Sequence, residues 1–417
     1  MRTIRYLVTL VTAVLALSVS GAALAELQNV EVGGNLKIRG NYWRYDTLGA
    51  TSFVEQRTAL NVKADFTNDV STLVEFDSYG DWGQNFRSNY LTGIDGRGAA
   101  DVGLYQAYIN VKDLWGTPLS LRVGRQELSF GTEFLLGNNS AAPYFRGLSF
   151  DALRLTYATD QFKVDAFAAK LAESFQNFGK GDTDLYGVYG SYLGIENVTL
   201  DAYWLYLRDG TVAGEDVDIH TLGLRGSGKV GSLDFEAEVA YQLGGIDGQP
   251  SACPLGFGEA DVDYGTFGGH AIVGYTFDVA WQPHVFGLFA YYGAGNGDTS
   301  FWSNDRTLPF NRLLSDFRYS DFVDLNSNAT NVVGYALGVQ VSPTECTQVT
   351  LAGKYLDLDE NIGKQKGWGW EVNLAGTYHY SQDLAFSAGY SHFFGDDWAD
   401  GSKPSWDYFF AQTEIAF

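Results

Sequence analysis

The sequence predicts an all-β fold: a transmembrane antiparallel up-and-down β-barrel of about eighteen strands (about 16–18), with short periplasmic turns and long extracellular loops. Three observations support this fold. Apolar and polar residues alternate along most of the chain after residue 25. Every second connection between the alternating segments is short. No internal apolar stretch approaches the roughly 18 residues that a membrane helix needs.

The composition excludes several classes of protein. The chain has 417 residues, with 27 Lys and Arg against 50 Asp and Glu, and a formal net charge of −23. This excess of acid argues against a nucleic-acid partner bound through a basic face. The 50 glycines, 8 prolines and 2 cysteines suit many strands joined by tight turns, and neither a disulfide scaffold nor a disordered chain.

The amino-terminal segment has the features of a secretory signal. Arg2 and Arg5 precede an apolar stretch over residues 6–19, and Ala23-Leu24-Ala25 forms a small-x-small cleavage site. We therefore expect residues 1–25 to be a signal peptide and residues 26–417 to form an outer-membrane β-barrel.

The alternating segments are the predicted strands. Residues 60–66 and 233–243 are clear examples, in which apolar side chains occupy every second position. Backbone groups in hydrocarbon must be paired, and without long helices only a closed sheet can pair them. The predicted strands begin near residues 30, 56, 70, 102, 118, 149, 161, 185, 198, 218, 232, 266, 284, 332, 348, 368, 383 and 406.

The connections indicate the orientation of the barrel. Segments such as 67–69, 159–160, 194–197, 231–232 and 381–383 are short and turn-like. The intervening ones are long and rich in Gly, Asp and Asn, notably 80–100, 129–147, 244–263 and 295–330. An outer-membrane barrel sorts its connections in this way, with short turns in the periplasm.

The last residues and the aromatic side chains agree with this topology. Residues 409–417 alternate and end on Phe417, which resembles the signal read by the outer-membrane assembly machinery. Aromatic residues crowd the predicted strand ends, as in the girdles that face the two membrane interfaces. We therefore expect the protein to lie in the outer membrane of a Gram-negative bacterium, in contact with its lipid and lipopolysaccharide.

The polar faces of the strands predict the lining of the lumen. The basic candidates are Lys37, Arg39, Arg57, Lys63, Arg122, Arg125, Arg154 and Lys163, although Arg125 needs a β-bulge to turn inward. The acidic candidates are Glu75, Asp77, Asp201, Glu236, Glu238 and Glu371. A basic wall opposite an acidic wall would create a transverse field that selects charged solutes. Alternatively, these charges pair across strands and only solvate the lumen.

Two segments resemble the alginate-export porin family. They are Val123-Gly124-Arg125-Gln126-Glu127-Leu128 and, after a polar loop, residues 146–155 with the sequence RGLSFDALRL. Residues 36–42 (LKIRGNY) are similar to the family's first strand. The resemblance implies an eighteen-stranded monomer whose electropositive constriction exports an anionic polysaccharide. Arg125 and Arg154 match basic residues of the family directly, and Lys37 and Arg39 match more loosely.

Two other classes of function stay open at this stage. A membrane-embedded hydrolase would need an acid/base/nucleophile group, and the five histidines form no such constellation. A plugged structural or adhesin barrel is compatible with the segment 295–330, whose Phe and Trp side chains favour folding inward. Acidic runs such as 357–360 lack the residue order of a Ca²⁺ loop. We expect no catalytic site, no metal and no cofactor.

The cysteines give a geometric expectation. Cys253 falls in a predicted extracellular loop and Cys346 in a periplasmic connection. Roughly 25 Å of membrane would separate them, whereas a disulfide needs Cα atoms within about 7 Å. We therefore expect two free thiols. We expect the protein to be a monomeric porin that passes hydrophilic, anionic solutes by diffusion or export.

Overall fold

A computed structural model describes most of the chain after the predicted signal peptide. The described ranges are residues 27–46, 48–66, 69–83, 102–138, 145–173, 181–211, 216–247, 261–296, 305–326, 329–398 and 401–417. Within them, no helix is both long enough and apolar enough to cross a bilayer. The signal-peptide prediction for residues 1–25 lies outside the described residues.

The described part of the chain contains twenty β-strands in one sheet. Their bounds are β1 (Asn29–Tyr45), β2 (Gly49–Asp65), β3 (Val70–Asp81), β4 (Val102–Val111), β5 (Leu119–Gln126), β6 (Phe150–Ala158), β7 (Phe162–Ala172), β8 (Thr183–Ile195), β9 (Val198–Asp209), β10 (Asp216–Val230), β11 (Leu233–Asp247), β12 (Asp261–Tyr264), β13 (Phe267–Thr276), β14 (His284–Tyr292), β15 (Asp305–Leu308), β16 (Val332–Thr344), β17 (Thr347–Ile362), β18 (Gln365–His379), β19 (Leu384–Gly395) and β20 (Ser405–Ala416).

The wall of the closed antiparallel barrel has eighteen strand positions. β12 and β13 both pair with β11 and count as one position. β15 pairs in parallel with β12 and belongs to the connection between β14 and β16. β1 pairs with β20 from Asn35 opposite Ala416 to Tyr45 opposite Trp406, which closes the sheet. The predicted fold class is confirmed.

The strand positions follow the sequence pattern closely. Every predicted start except that of β2 lies within three residues of an observed first residue. β2 begins at Gly49 because β1 and β2 form a long hairpin that extends beyond the membrane. Long hairpins also make the extracellular connections 46–48 and 363–364 short. The sequence had predicted long connections on the extracellular side.

Two extracellular connections turn into the lumen and pack there. Their described parts are residues 127–138 and 145–149, after β5, and residues 293–296, 305–326 and 329–331, after β14. The second carries a short helix, α1 (Asp321–Asn326). The connections meet at a parallel bridge between Leu136 and Leu314. Their apolar side chains form a buried core with the inner faces of the strands around them.

The outer face carries the exposed apolar side chains. Examples are Leu337, Val273 and Trp370, which alternate with inward residues along their strands. This arrangement matches an apolar band in contact with acyl chains. Cys346 is a free, exposed thiol at the turn between β16 and β17. Cys253 and most of the predicted loops 80–100 and 244–263 lie outside the described residues.

Candidate pore

The described lumen has an open side and a filled side. Two cavities follow β1–β5, and the inserted connections pack against the inner faces of the later strands. The extracellular cavity, of about 480 Å³, is lined by residues that include Arg39, Glu55, Tyr79, Arg146 and Tyr408. The periplasmic cavity, of about 430 Å³, is lined by residues that include Lys63, Asp65, Asn110, Lys112 and Arg122. We treat the β1–β5 wall as the candidate pore.

Strand register brings opposite charges together inside the lumen. Arg39 lies directly opposite Glu55 on the neighbouring strand, and its Nη2 is 2.7 Å from Glu55 Oε1. Arg57 Nε lies 3.2 Å from Asp77 Oδ2. Both arginine side chains are almost fully buried. These two cations of the predicted basic wall are therefore neutralised by their neighbours.

The remaining predicted cations on β1, β2, β6 and β7 are also paired. The nitrogen–oxygen distances are 3.2 Å for Lys37 and Glu414, 3.2 Å for Lys63 and Glu31, 2.8 Å for Arg154 and Asp165, and 3.6 Å for Lys163 and Asp165. The structure thus corresponds to cross-strand pairing rather than to a continuous bare basic wall.

Arg122 differs from these cations. Its Nε donates to Asn110 Oδ1 at 3.3 Å, and its guanidinium lies 4.3 Å from the centre of the Tyr108 ring. Among the described residues, no carboxylate lies within ion-pair distance of it. A cation held by an amide and an aromatic face keeps most of its charge available to a solute.

Arg125 is not in the lumen, contrary to the sequence prediction. It lies directly opposite Asp151 and makes a two-pronged ion pair with it, at 2.7 and 2.8 Å. The register of β4, β5 and β6 is unbroken at this position, so no bulge turns the side chain inward. Arg125 shares its face with Val123, which is exposed on the outside of the barrel.

The acidic residues of β9 and β11 surround a cation that sequence reasoning missed. Arg225 of β10 lies 2.7 Å from Asp201, 2.9 Å from Glu236 and 3.9 Å from Glu238. The alternation in β10 is the signal that would have found it, because Arg225 shares the inward face with buried Thr221. The acidic cluster therefore binds an internal arginine and does not form a bare acidic wall.

The same cluster has the donor set of a metal site but not the space for one. Ligand atoms of Glu236, Glu238 and His270 lie within 4.8 Å of one another. The Arg225 guanidinium already binds Glu236 through two hydrogen bonds, at 3.2 and 2.9 Å. A divalent cation would have to displace this arginine, so these residues do not fit a resident metal.

Glu371 holds the inserted connection in place. Its carboxylate accepts hydrogen bonds from the Ser320 hydroxyl at 2.7 Å and from the backbone N–H groups of Asp321 and Phe322 at 3.0 and 2.9 Å. Lys354 Nζ lies 2.9 Å away. Glu371 therefore anchors α1 to the barrel wall and is covered by it.

The other predicted acids lie on the open side. Asp77 pairs with Arg57, and Glu75 accepts a hydrogen bond of 2.9 Å from Gln106. Sequence reasoning also missed Arg146, which is exposed in the extracellular cavity. Its guanidinium lies 4.5 Å from the centre of the Tyr79 ring. Arg146 is in a connection, where strand alternation gives no information on direction.

Comparison with known proteins identifies the class of barrel. The family model for alginate export matches residues 28–404. No curated protein matches this sequence.

Solved structures of outer-membrane proteins share the fold. OpdQ of Pseudomonas aeruginosa has 11% identity and a TM-score of 0.60, covering 94% of this chain and 99% of its own. OccK8 (OprE) of the same organism has 12% identity and a TM-score of 0.59, covering 93% and 98%. OccAB3 of Acinetobacter baumannii has 13% identity and a TM-score of 0.58, covering 93% and 99%.

Proposed function

The chain belongs to the alginate export family, and from this premise we propose that anionic solutes, acidic polysaccharide among them, cross it along the β1–β5 wall. The protein is an outer-membrane channel for hydrophilic solutes in a Gram-negative bacterium. The proposal concerns the charge of the solute and the side of the lumen that it follows.

The single observation that carries the proposal is the environment of Arg122. The other predicted strand cations of the lumen are matched by carboxylates, so each pair presents little net charge to a passing solute. Arg122 lies in the periplasmic cavity with an amide and an aromatic ring as its neighbours. For an anion that enters from the periplasm, Arg122 is the guanidinium with the least charge compensation. The exposed Lys112 lies in the same cavity.

A similar unit stands at the other end of the open side. Arg146 lies over Tyr79 in the extracellular cavity, as Arg122 lies over Tyr108 in the periplasmic one. Between them the wall presents paired charges and polar side chains such as Gln106 and Asn61. Two accessible cations joined by a hydrated, nearly neutral surface would attract an anion without holding it too tightly to leave.

The remaining expectations belong to the same proposal. We infer a monomeric channel, as the family resemblance implies, without catalytic activity. We also infer that the last strand is read by the outer-membrane assembly machinery. The Phe417 side chain is 69% exposed, and its backbone exchanges two hydrogen bonds of 3.0 Å with Gly34.

Reversal potentials in planar bilayers under a KCl gradient test the proposal. We expect wild-type protein to prefer chloride and Arg122→Gln to lose much of that preference. The matched control is the double variant Lys37→Gln/Glu414→Gln, which removes a paired cation together with its carboxylate. This control should leave the ion preference unchanged because its net charge is unchanged.

Block of the ion current by an oligouronate gives a second measurement. Added from the periplasmic side, it should block wild-type channels more strongly than Arg122→Gln channels, while a neutral oligosaccharide should not distinguish them. Cation preference in the wild type, or equal block of both proteins, would refute the proposal. Absence of conductance in correctly folded protein would favour a plugged barrel.

A further inference from the structure

A row of six charged residues crosses the outer face of the barrel from β5 to β10. Each member lies directly opposite the next on neighbouring strands, and the signs alternate along the row. The members are Arg125, Asp151, Lys170, Asp184, Arg208 and Asp218. We call this the outer charge row.

The direction of these side chains follows from strand alternation. Val123, Val188 and Leu222 are exposed apolar residues on β5, β8 and β10. They share the parity, and therefore the face, of the charged residues on their strands. The side chains of Arg125, Asp151 and Lys170 are 40%, 55% and 36% exposed. The side chains of Asp184 and Arg208 are 13% and 19% exposed. The outer charge row is thus reached from the membrane side of the barrel mainly at its β5–β7 end.

The row starts unusually low on the barrel wall. Arg125 lies only six residues from Leu119, the first residue of β5, at the periplasmic end. With about 3.3 Å per residue and a tilt of ~40°, this is roughly 15 Å of height. Asp218 lies twelve residues from Val230, at the same end of β10. With the same geometry this is roughly 30 Å of height. The row therefore rises obliquely from within an apolar band that is normally about 25 Å tall to its extracellular edge.

An exposed ion pair at this depth needs a polar partner from outside the barrel. Charged side chains facing lipid are strongly disfavoured at depth and tolerated near the interfaces. Pairing Arg125 with Asp151 reduces the cost, but both side chains keep large exposed surfaces. Either acyl chains cover these charges or a polar headgroup layer extends down to them. The second arrangement is the more favourable.

From this position and charge pattern, we infer that the outer charge row is a docking strip for lipopolysaccharide, with lipid A phosphates bound at Arg125, Lys170 and Arg208. Guanidinium and ammonium groups bind phosphate through charge-assisted hydrogen bonds. The intervening Asp151, Asp184 and Asp218 offer oxygen ligands to the divalent cations that accompany the phosphates. An alternating row matches an alternating layer of phosphates and cations.

The cations of the row already have carboxylate partners, which the lipid phosphates and their divalent cations would have to share. Lys170 Nζ contacts Asp184 at 2.6 Å and Asp182 at 3.3 Å, and Arg208 contacts Asp216 at 3.2 Å. Directly below the upper end of the row, Tyr186, Tyr206 and His220 face outward as stacked rings. Such amphipathic rings prefer the level of the headgroups. The row and the rings together form a local membrane interface.

Lipid A binding to the full-length protein in detergent micelles tests the inference. The probe is hexa-acyl lipid A with two phosphates, in the presence of Mg²⁺, and the readout is the apparent Kd by native mass spectrometry. We expect the triple variant Arg125→Gln/Lys170→Gln/Arg208→Gln to bind at least about tenfold more weakly. The matched control, Arg44→Gln/Lys364→Gln/Lys403→Gln, removes three cations outside the row and should bind normally.

A second measurement needs no variant. Lipid A without phosphates should bind the wild type at least about tenfold more weakly than the bisphosphate, and removal of Mg²⁺ should also weaken binding. Equal binding of both lipids, or equal losses in the two triple variants, would overturn the inference. If the row instead joins two copies of this chain, sedimentation will show a wild-type dimer that the row variant loses while lipid binding persists.

The inference can fail independently of the proposed function. Because the outer charge row lies outside the lumen, the row variant should keep the conductance and ion preference of the wild type in planar bilayers. A variant that loses lipid A but conducts normally would support the docking strip alone.

Discussion

The β1–β5 side and the β13–β20 side of the lumen have the same strand geometry, but the first keeps open cavities and the second is covered by the inserted connections. The first presents Lys63, Glu75 and Arg122 to the lumen and keeps two cavities. The second presents small and aromatic residues, onto which the inserted connections pack. A Cβ on Gly268 would lie 2.6 Å from the ring of Phe310, so this glycine makes room for the connection.

The difference shows how a barrel of fixed size sets the width of its pore. On the β1–β5 side, Arg39 and Arg57 are buried in ion pairs, with Phe145 packed on Arg39, whereas Lys63 and Arg122 in the periplasmic cavity stay partly exposed. Covering these remaining charges would cost more by dehydration than the new contacts return. Inner faces with glycine and aromatic residues lose little, and they bury the apolar side chains of the inserted connections. The pore is therefore displaced toward β1–β5. Substitutions on either side of the lumen should therefore change this asymmetry.

Removing the charge of Glu371 should open the filled side. Glu371→Gln leaves Lys354 without its partner in a buried site and weakens the hydrogen bonds that hold α1, with a cost of about 3–5 kcal/mol. We expect higher and more variable conductance in planar bilayers. Glu414→Gln is the control, because its ion pair with Lys37 is partly exposed and contributes about 0–1 kcal/mol. Unchanged conductance of Glu371→Gln would show that α1 is held by other contacts.

Truncating Phe134 should loosen the junction between the two inserted connections. Phe134 is 1% exposed. The centre of its ring lies 5.4 Å from the ring centre of Tyr292 and 5.7 Å from that of Phe317. Phe134→Ala should lower the local opening free energy by about 3–5 kcal/mol.

Hydrogen exchange at the Leu314 amide, which donates to Leu135 O, measures this change. The melting temperature of the barrel should change much less, since the closed sheet pairs its own backbone. Phe409→Ala, on the outer face, serves as the control and should leave the Leu314 amide protected. Equal exchange in both variants would contradict the prediction.

Acid should tighten the inserted connections. Burial raises the pKa of Asp316 to about 6, while Arg318 partly opposes this increase. Because the docked state binds a proton more tightly than the undocked state, docking is stabilised as the pH falls through about 6 and weakened as it rises. With about 1.4 kcal/mol per pKa unit, the effect is at most ~3 kcal/mol.

The open probability in planar bilayers at pH 5 and at pH 7.5 measures this dependence. We expect fewer openings at pH 5 in the wild type. Asp316→Asn should remove much of the difference, because the amide does not titrate. An equal difference in the variant would assign the pH dependence to another group.

Arg146 should have the smallest effect. Its guanidinium is exposed over Tyr79, so Arg146→Gln should shift the reversal potential toward cations by less than Arg122→Gln does. Stability should change by about 0.5 kcal/mol or less. Lys364→Gln, at the tip of an extracellular hairpin, is the control and should not change the ion preference. A larger shift for Arg146→Gln than for Arg122→Gln would move the selective contact to the extracellular cavity.

The sequence predicted the barrel well because strand alternation is a local property. The face of every strand that contacts lipid must be apolar. Strands such as β7 and β11 can therefore be recognised in the sequence without knowledge of their neighbours. The inward direction of Arg39 and Arg154 follows in the same way. Arg125 was the wrong inference, because its charge suggested the lumen while its parity already placed it outside.

The partners of the charged residues were not visible in the sequence. Arg225 and Asp201 are on different strands, and their contact depends on register, which alternation alone does not give. The packing of Glu371 under α1 depends on a connection that returns to the lumen after leaving the wall.

By itself the sequence determined the strands, the closed sheet and the face on which nearly every charged residue lies, because hydrocarbon imposes one simple rule on each strand. Only the tertiary structure decided which charges neutralise each other, which side of the lumen is filled and where an accessible cation is left. Those outcomes depend on register and on the return of distant connections, and both are set by long-range packing.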